Sequence, residues 1–154
     1  MFSGDHIWMD MFRHVFDLER HYPSYNVRDL ETNDLNVHQD ILSILNDDIS
    51  ARYANYTNQT EGTEGRTFDL LVGHFLGIDH AGHTFYANHS EIERKVVETE
   101  QNIEEIIKAL DNDTVLILYG DHGMTNDGNH GGGTQDELRT MLFGYSKSGF
   151  PMLK

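Results

Sequence analysis

Apolar residues recur at helical spacing in three segments of the chain, residues 5–16, 34–45 and 90–110. Each pattern predicts a helix with one apolar face packed on a core. Asp34 is placed to cap the second helix, and Ser90 with Glu93 has the spacing of a capping box at the start of the third. Residues 51–67 are polar without a repeating pattern, which predicts a loop.

Three shorter runs are continuously apolar and bounded by turn residues, at residues 68–78, 114–120 and 140–146. Such runs are typical of strands that are buried on both faces of a sheet. The order strand, helix, strand across residues 68–120 is that of a βαβ unit. The sequence therefore predicts an α/β domain with a mainly parallel sheet and helices on both faces.

Composition narrows the range of functions. The chain of 154 residues is long enough for one domain, and it contains no apolar run long enough to cross a membrane. The formal net charge of −15 argues against a nucleic-acid partner, because phosphate contacts require Lys and Arg. The absence of cysteine excludes thiolate metal ligands and Cys nucleophiles, and the ten histidines are an unusually large number.

Asp, His and Gly are concentrated directly after two of the predicted strands, in GIDHAGH (77–83) and in GDHGM (120–124). In open α/β sheets, ligands bind beyond the carboxyl ends of the strands. Parallel strands would carry both segments to the same edge of the sheet. This placement predicts that the polar groups of the two segments meet in one site.

Five side chains in and after these segments are candidate metal ligands: Asp79, His83, Asp121, His122 and His130. Asp79 and His83 are four residues apart and would share one face of a helical turn. Oxygen and imidazole ligands without sulfur suit zinc, with manganese as the harder alternative. Five ligands exceed the three that one catalytic zinc ion usually takes from the protein, which indicates two ions close together.

Simpler interpretations of these residues stay open. Taken singly, Asp79 and Asp121 fit equally well as carboxylates that cap a helix or end a strand. His80 fits packing or a substrate contact, His74 fits a core histidine within a strand, and glycines 131–133 fit a flexible turn. The other histidines match no motif and are interpreted as surface or structural residues: His6, His14, His21, His38 and His89.

Several segments resemble the alkaline phosphatase superfamily: HFLGIDHAGH (74–83), GDHGMTNDGNHGG (120–132) and LFGYS (142–146). Within it they resemble the GPI ethanolamine phosphate transferases, most closely the third, PIG-O, type. SGDHIWMDMF (3–12) and YPSYNVRDLET (22–32) are similar to segments of that type as well. The resemblance covers most of the chain outside residues 51–67.

The resemblance implies a catalytic domain on the luminal side of the endoplasmic reticulum membrane. Enzymes of this family transfer phosphoethanolamine from phosphatidylethanolamine to a mannose of the GPI anchor precursor, and they use two zinc ions. A small stabilising membrane-protein subunit is a further expected partner. By resemblance, Asp79, His83 and His130 would hold one ion, and Asp121 and His122 would partly hold the other.

The chain differs from the family pattern in one respect. The family's nucleophilic Thr and first metal-binding Asp precede the segment that matches residue 1, and Thr125 only follows a metal motif. No nucleophile is therefore assigned within the chain. Residues 1–154 are expected to be a partial luminal catalytic domain that lacks the N-terminal nucleophile segment and the C-terminal transmembrane region, and to be inactive alone.

The sequence is also compatible with two other functions. The first is that of another phosphodiesterase or phosphomutase of the superfamily, because the metal motifs are shared. The second is that of a truncated chain that binds zinc without catalysing a reaction. The segment SGDHIW (3–8) favours the transferase.

Four N-x-S/T sequons fit a luminal, glycosylated segment: Asn55, Asn58, Asn88 and Asn112. Asn55 and Asn58 lie in the predicted loop and are the better candidates. Asn112 fits equally well as a turn residue between a helix and a strand.

Overall fold

The structure, a computed structural model, describes residues 1–12, 14–46 and 68–150. The chain divides into two compact units, and the division falls between His80 and Ala81. The predicted loop 51–67, with the sequons at Asn55 and Asn58, lies outside the described residues. No helix in the described part of the chain is long and apolar enough to span a membrane.

The first unit is built on a parallel three-stranded sheet in the order β2–β1–β3. Its strands are β1 (Phe2–Asp5), β2 (Glu19–Tyr22) and β3 (Val72–Gly73). The helices α1 (His6–Met11) and α2 (Thr32–Leu45) belong to the same unit. The predicted α/β class with a parallel sheet and helices is confirmed.

Helix α2 provides most of the apolar core of this unit. Val37, Ile41 and Ile44 recur at helical spacing and are almost fully buried, together with Phe2 of β1. The same helix buries Asp40, whose carboxylate accepts hydrogen bonds from the hydroxyl of Ser3 (2.9 Å) and the hydroxyl of Tyr22 (2.5 Å). One carboxylate therefore fastens α2 to both β1 and β2.

The sequence predicts that Asp34 caps α2. This prediction is wrong, because α2 already begins two residues earlier, at Thr32. The side chain of Asp34 is only 1% exposed, and its Oδ1 accepts the N–H of Leu76 (2.8 Å) and of Gly77 (3.0 Å). These two groups start helix α3 (Gly77–Phe85). Asp34 thus satisfies the unpaired N-terminal donors of a helix that begins more than forty residues later.

The apolar run 68–78 forms only the two-residue strand β3, because the chain turns into α3 at Gly77. His74 follows β3, donating its backbone N–H to Ser3 O (2.9 Å), and its ring meets the ring of Trp8 edge to face. His80, 3% exposed, donates from Nδ1 to the carbonyl of Asp29 (2.9 Å). The packing interpretation of His80 is therefore confirmed.

Helix α1 is shorter than the predicted helix 5–16. Asp5 caps its start by accepting the N–H of the second helical residue at 3.0 Å. The helix ends at Met11, and His14 adopts a φ of +65°, which is incompatible with a continuing right-handed helix. Met11, Phe12 and Val15, predicted to face a core, are 62%, 42% and 65% exposed.

The second unit contains the strands β4 (Val115–Tyr119) and β5 (Leu142–Ser146) and the helices α4 (Ser90–Ala109) and α5 (Gln135–Leu138). β4 and β5 form an antiparallel pair, in which Val115 faces Ser146 and Tyr119 faces Leu142. The three strands predicted from apolar runs therefore exist in part, with changed lengths and partners.

The predicted βαβ unit across residues 68–120 is wrong for the described residues, since β3 pairs with β1 whereas β4 pairs with β5. An apolar run does not specify the partner or the direction of a strand. β4 is also not buried on both faces, because Val115, Ile117 and Tyr119 are 46%, 61% and 62% exposed.

The predicted capping box of Ser90 and Glu93 is also wrong. His89 is the N-cap of α4, with extended backbone angles, and its Nδ1 accepts the N–H of Glu91 at 3.2 Å. Ser90 is the first helical residue and so cannot cap the helix. The structural interpretation of His89 is confirmed, and the end of the predicted helix 90–110 is correct to within one residue.

We predict that Asp34→Ala lowers the free energy of unfolding by about 2–4 kcal/mol, because two N–H groups at the start of α3 lose a charged acceptor. Asp34→Asn keeps one acceptor oxygen and should cost less. Urea denaturation followed by circular dichroism measures both effects. The control is Asp69→Ala at an exposed position, which should change stability by less than about 0.5 kcal/mol. Equal losses in Asp34→Ala and Asp69→Ala would contradict the assignment.

Candidate metal centre

Helix α3 carries two of the predicted ligands. Asp79 and His83 lie four residues apart within Gly77–Phe85, so they share one face of the helix as the sequence predicts. The short loop connection from β3 and the acceptor carboxylate of Asp34 fix where this helix begins. The helical register then fixes the direction of both side chains.

The loop after β4 carries the other three predicted ligands. Asp121 and His122 follow the end of β4, as expected for a strand that gives way to a loop. The loop approaches α3 at Gly128, which has a φ of +78°. A Cβ atom on Gly128 would lie 2.2 Å from the carbonyl oxygen of Gly82, so only glycine permits this approach.

Three of the predicted histidines meet in the second unit. His83 Nε2 lies 3.0 Å from His130 Nε2, and the rings of His122 and His130 stack with centroids 3.8 Å apart. Two imidazole nitrogens bound to one tetrahedral zinc ion at ordinary Zn–N lengths would be about 3.3 Å apart. The separation of the two Nε2 atoms therefore suits two ligands of one ion.

Hydrogen bonds orient His122 within this cluster. Its Nδ1–H donates to the carbonyl of Gly123 at 2.9 Å, which leaves the lone pair on Nε2. Asp121 Oδ1 accepts the backbone N–H of His122 at 3.1 Å, and its Oδ2 lies 3.6 Å from His122 Nε2. A candidate nitrogen ligand and a candidate oxygen ligand are thus held side by side, and the lone pair of Nε2 is available to a metal ion.

Glu137 holds the two histidine-bearing segments together, and the sequence interpretation missed it. Its side chain accepts hydrogen bonds from the hydroxyl and N–H of Thr134 (2.6 and 3.0 Å) and from the N–H of Gly132 (2.9 Å). Its own carbonyl accepts the N–H of Gly123 at 2.7 Å. The signal was present in the sequence, because TQDE (134–137) matches the capping-box pattern that the structure shows at α5.

Thr125 has a local structural role. Its hydroxyl donates to Asp127 Oδ1 (2.5 Å) and accepts the N–H of Asn129 (3.1 Å), which closes the turn between His122 and His130. The donors Thr125 and Asn129 lower the pKa of Asp127. The interpretation of Thr125 as a residue that only follows the metal motif agrees with these contacts.

His6 belongs to a second polar cluster, in the first unit. Its Nδ1 lies 3.2 Å from both Ser24 Oγ and Asp5 Oδ1. Both contacts fall on the same ring nitrogen, whereas a Ser–His–Asp relay needs one on each nitrogen. The cluster therefore agrees with the structural interpretation of His6.

Residues 3–139 match the profile of the family described as type I phosphodiesterase / nucleotide pyrophosphatase. The chain belongs to this family. Enzymes of the type I phosphodiesterase family are generally metal-dependent, which agrees with the cluster of His83, His122 and His130.

The chain is also similar to several curated proteins. It is 38% identical over 146 residues to the catalytic subunit of human GPI ethanolamine phosphate transferase 3, and 37% identical over 148 residues to GPI ethanolamine phosphate transferase 3 of Saccharomyces cerevisiae. Both matches cover 95% of this chain. GPI ethanolamine phosphate transferase 2 of Kluyveromyces lactis is 31% identical over 147 residues.

The resemblance to the GPI ethanolamine phosphate transferases is confirmed, and these relatives are named as transferases. The chain spans only 12% of the human relative, 13% of the S. cerevisiae relative and 16% of the K. lactis relative. No solved structure matches the chain.

We predict that the loop held by Glu137 opens in acid. Hydrogen bonds from Thr134, and then from Gly132, lower the pKa of Glu137 in the folded protein. Its ionised form therefore adds stability at pH values above the ordinary Glu pKa of about 4.3, and this stability is lost as the pH falls through the lowered pKa. The check is amide hydrogen exchange of Gly132 and Thr134 against pH.

Glu137→Gln should lose this protection already at neutral pH, because an amide nitrogen replaces one of the accepting oxygens. The control is Asp136→Asn at an exposed position of the same helix, which should behave as the unaltered chain. Unchanged exchange at Gly132 in Glu137→Gln would contradict the role assigned to Glu137.

Proposed function

We propose that this chain provides metal-binding residues of an enzyme that transfers phosphoethanolamine from phosphatidylethanolamine to a mannose of the GPI anchor precursor. The observation that carries the proposal is the meeting of His83, His122 and His130 in a chain whose relatives are named GPI ethanolamine phosphate transferases. Residues 1–154 would form part of the luminal catalytic domain of such an enzyme.

The proposal assigns Asp79, His83 and His130 to one zinc ion, and Asp121 and His122 to part of a second. The 3.0 Å separation of the Nε2 atoms of His83 and His130 supports the first assignment. Asp79 lies one helical turn before His83 on α3 and would add an oxygen ligand. Imidazole-rich sites without sulfur suit zinc better than manganese, which prefers oxygen ligands.

When bound, two zinc ions offset negative charge on the phosphoryl oxygens and lower the pKa of a coordinated hydroxyl group. The chain's own contribution is to hold its imidazoles and carboxylates ready for that role. The carbonyl of Gly123 keeps the proton of His122 on Nδ1. Glu137 holds the backbone after His122 and after His130.

The nucleophile in this proposal is a Thr outside residues 1–154, as the family resemblance implies. Thr125 is engaged in its own turn and is not assigned this role. Phosphatidylethanolamine and the GPI precursor glycolipid are the proposed substrates, and a small membrane-protein subunit is a proposed stabilising partner. The proposed location is the luminal side of the endoplasmic reticulum membrane. Asn112 is exposed and is a proposed glycosylation site, as are Asn55 and Asn58.

The family match supports a second candidate, because its description names phosphodiester and pyrophosphate cleavage. The same metal residues would serve hydrolysis, in which water replaces the mannose hydroxyl as acceptor. The two functions differ in the product, since hydrolysis releases phosphoethanolamine whereas transfer leaves it on the sugar.

A chimera tests the proposal. Residues 3–146 of this chain would replace the matching segment of the S. cerevisiae transferase, and phosphoethanolamine transfer to the GPI precursor would be measured together with the zinc content. We expect the chimera to transfer. His83→Ala and His130→Ala should each lower transfer at least about a hundredfold and lower the zinc content, because each removes a ligand.

The control is His21→Ala, at an exposed position of β2, which should retain both transfer and zinc. A zinc-loaded chimera that releases phosphoethanolamine without transferring it would favour hydrolysis. Full zinc content in both His83→Ala and His130→Ala would contradict the metal assignment.

A further inference from the structure

A shallow cleft of about 510 Å³ lies in the second unit. It is lined by Phe85, Tyr86, Asn88, His89, Asn126 and Asp127. Tyr86 follows His83 by three residues, and Asp127 precedes His130 by three residues, so the Cα atoms of each pair are at most about 10 Å apart. The cleft is therefore formed by the segments that directly follow His83 and directly precede His130, although none of its lining residues is a proposed ligand.

One wall of the cleft is aromatic. The rings of Phe85 and His89 stack with centroids 4.8 Å apart. Tyr86 is 61% exposed and has a φ of +68°, which is unfavourable for a bulky side chain. The N–H of Tyr86 donates to Gly82 O and its carbonyl accepts the N–H of His89, so the backbone holds this conformation. Tyr86 directly follows the last residue of α3, and a left-handed residue at this position is a common way for a helix to end.

The cleft carries negative charge. Asp127 is the charged residue among the six, and none of them is Lys or Arg. His89 accepts a hydrogen bond at Nδ1 from the N–H of Glu91 at 3.2 Å. The N-terminus of α4 contributes about half a positive charge, which Asp127 and Glu93 in the first helical turn outweigh.

We propose that this cleft binds a small primary ammonium group, which faces the rings of Phe85 and Tyr86 and pairs with the carboxylate of Asp127. The inference rests on the proposed function. It gives phosphoethanolamine two points of recognition, its phosphate at the metal residues and its ammonium group, two carbons away, in the cleft. Cation–π attraction and pairing with a carboxylate both favour a cation, whereas an anion would be repelled by Asp127.

The test uses the 154-residue chain, made without glycosylation and free of metal, and ethanolamine, which is cationic at pH 7 and carries no phosphate. Ethanolamine is titrated while the amide NMR signals of Tyr86, Asn126 and Asp127 are followed. We expect saturable shifts. Asp127→Asn and Tyr86→Asn should each weaken binding about threefold or more, since one removes the charge and the other removes the ring. Asn tolerates positive φ, so Tyr86→Asn adds no backbone strain.

The matched control is Glu100→Gln, which removes one exposed charge about 15 Å further along α4 and should leave the affinity unchanged. Ethylene glycol, a neutral analogue, should produce no saturable shifts at these amides. Equal shifts with ethylene glycol, unchanged affinity in both cleft variants, or saturable binding of methyl mannoside at the same amides would overturn the proposal. In the last case the cleft would be a sugar subsite.

This outcome is separate from that of the transfer assay. An active chimera whose parent chain does not bind ethanolamine would keep the proposed function and lose the ammonium subsite. An inactive chimera, whose parent chain binds ethanolamine at Asp127, would keep the ammonium subsite and lose the proposed function.

Discussion

The carboxylate of Asp34 fixes the position at which helix α3 begins. It is buried in α2 and accepts the N–H groups of Leu76 and Gly77, so the chain leaves β3 and turns into a helix after only a few residues. The start of the helix then sets the direction of each side chain along it. Asp79 and His83 share a face for this reason, and Tyr86 follows at the end of the helix.

The histidine cluster depends on a second constraint, which is the close approach of two backbones. Gly128 meets the carbonyl of Gly82 at a distance that excludes any side chain, and Thr125 and Glu137 fix the turns on either side of His130. These contacts are neutral or local and need no metal ion. A preformed arrangement of imidazoles would lower the ordering cost of binding an ion, since the candidate ligands already lie close together.

The sequence predicts best where a pattern is long and local. The apolar repeat of α4 extends over twenty residues, and its end was predicted to within one residue. The motifs around Asp79 and His122 were placed correctly on a helix and at a strand end, because both depend on adjacent residues. Strand pairing was not predictable in the same way. The run that contains β4 is equally apolar on both faces, and nothing in it specifies the antiparallel partner β5. Caps were mistaken at Asp34 and Ser90, because several neighbouring polar residues compete for the same backbone donors.

We propose that His83 and His130 bind one metal ion together. The X-ray absorption spectrum of the chain loaded with one equivalent of zinc tests this most directly. We expect nitrogen and oxygen ligands, with the outer-sphere scattering that marks at least two imidazole rings. A spectrum of zinc bound only by water and carboxylate oxygens, without imidazole scattering, would contradict it.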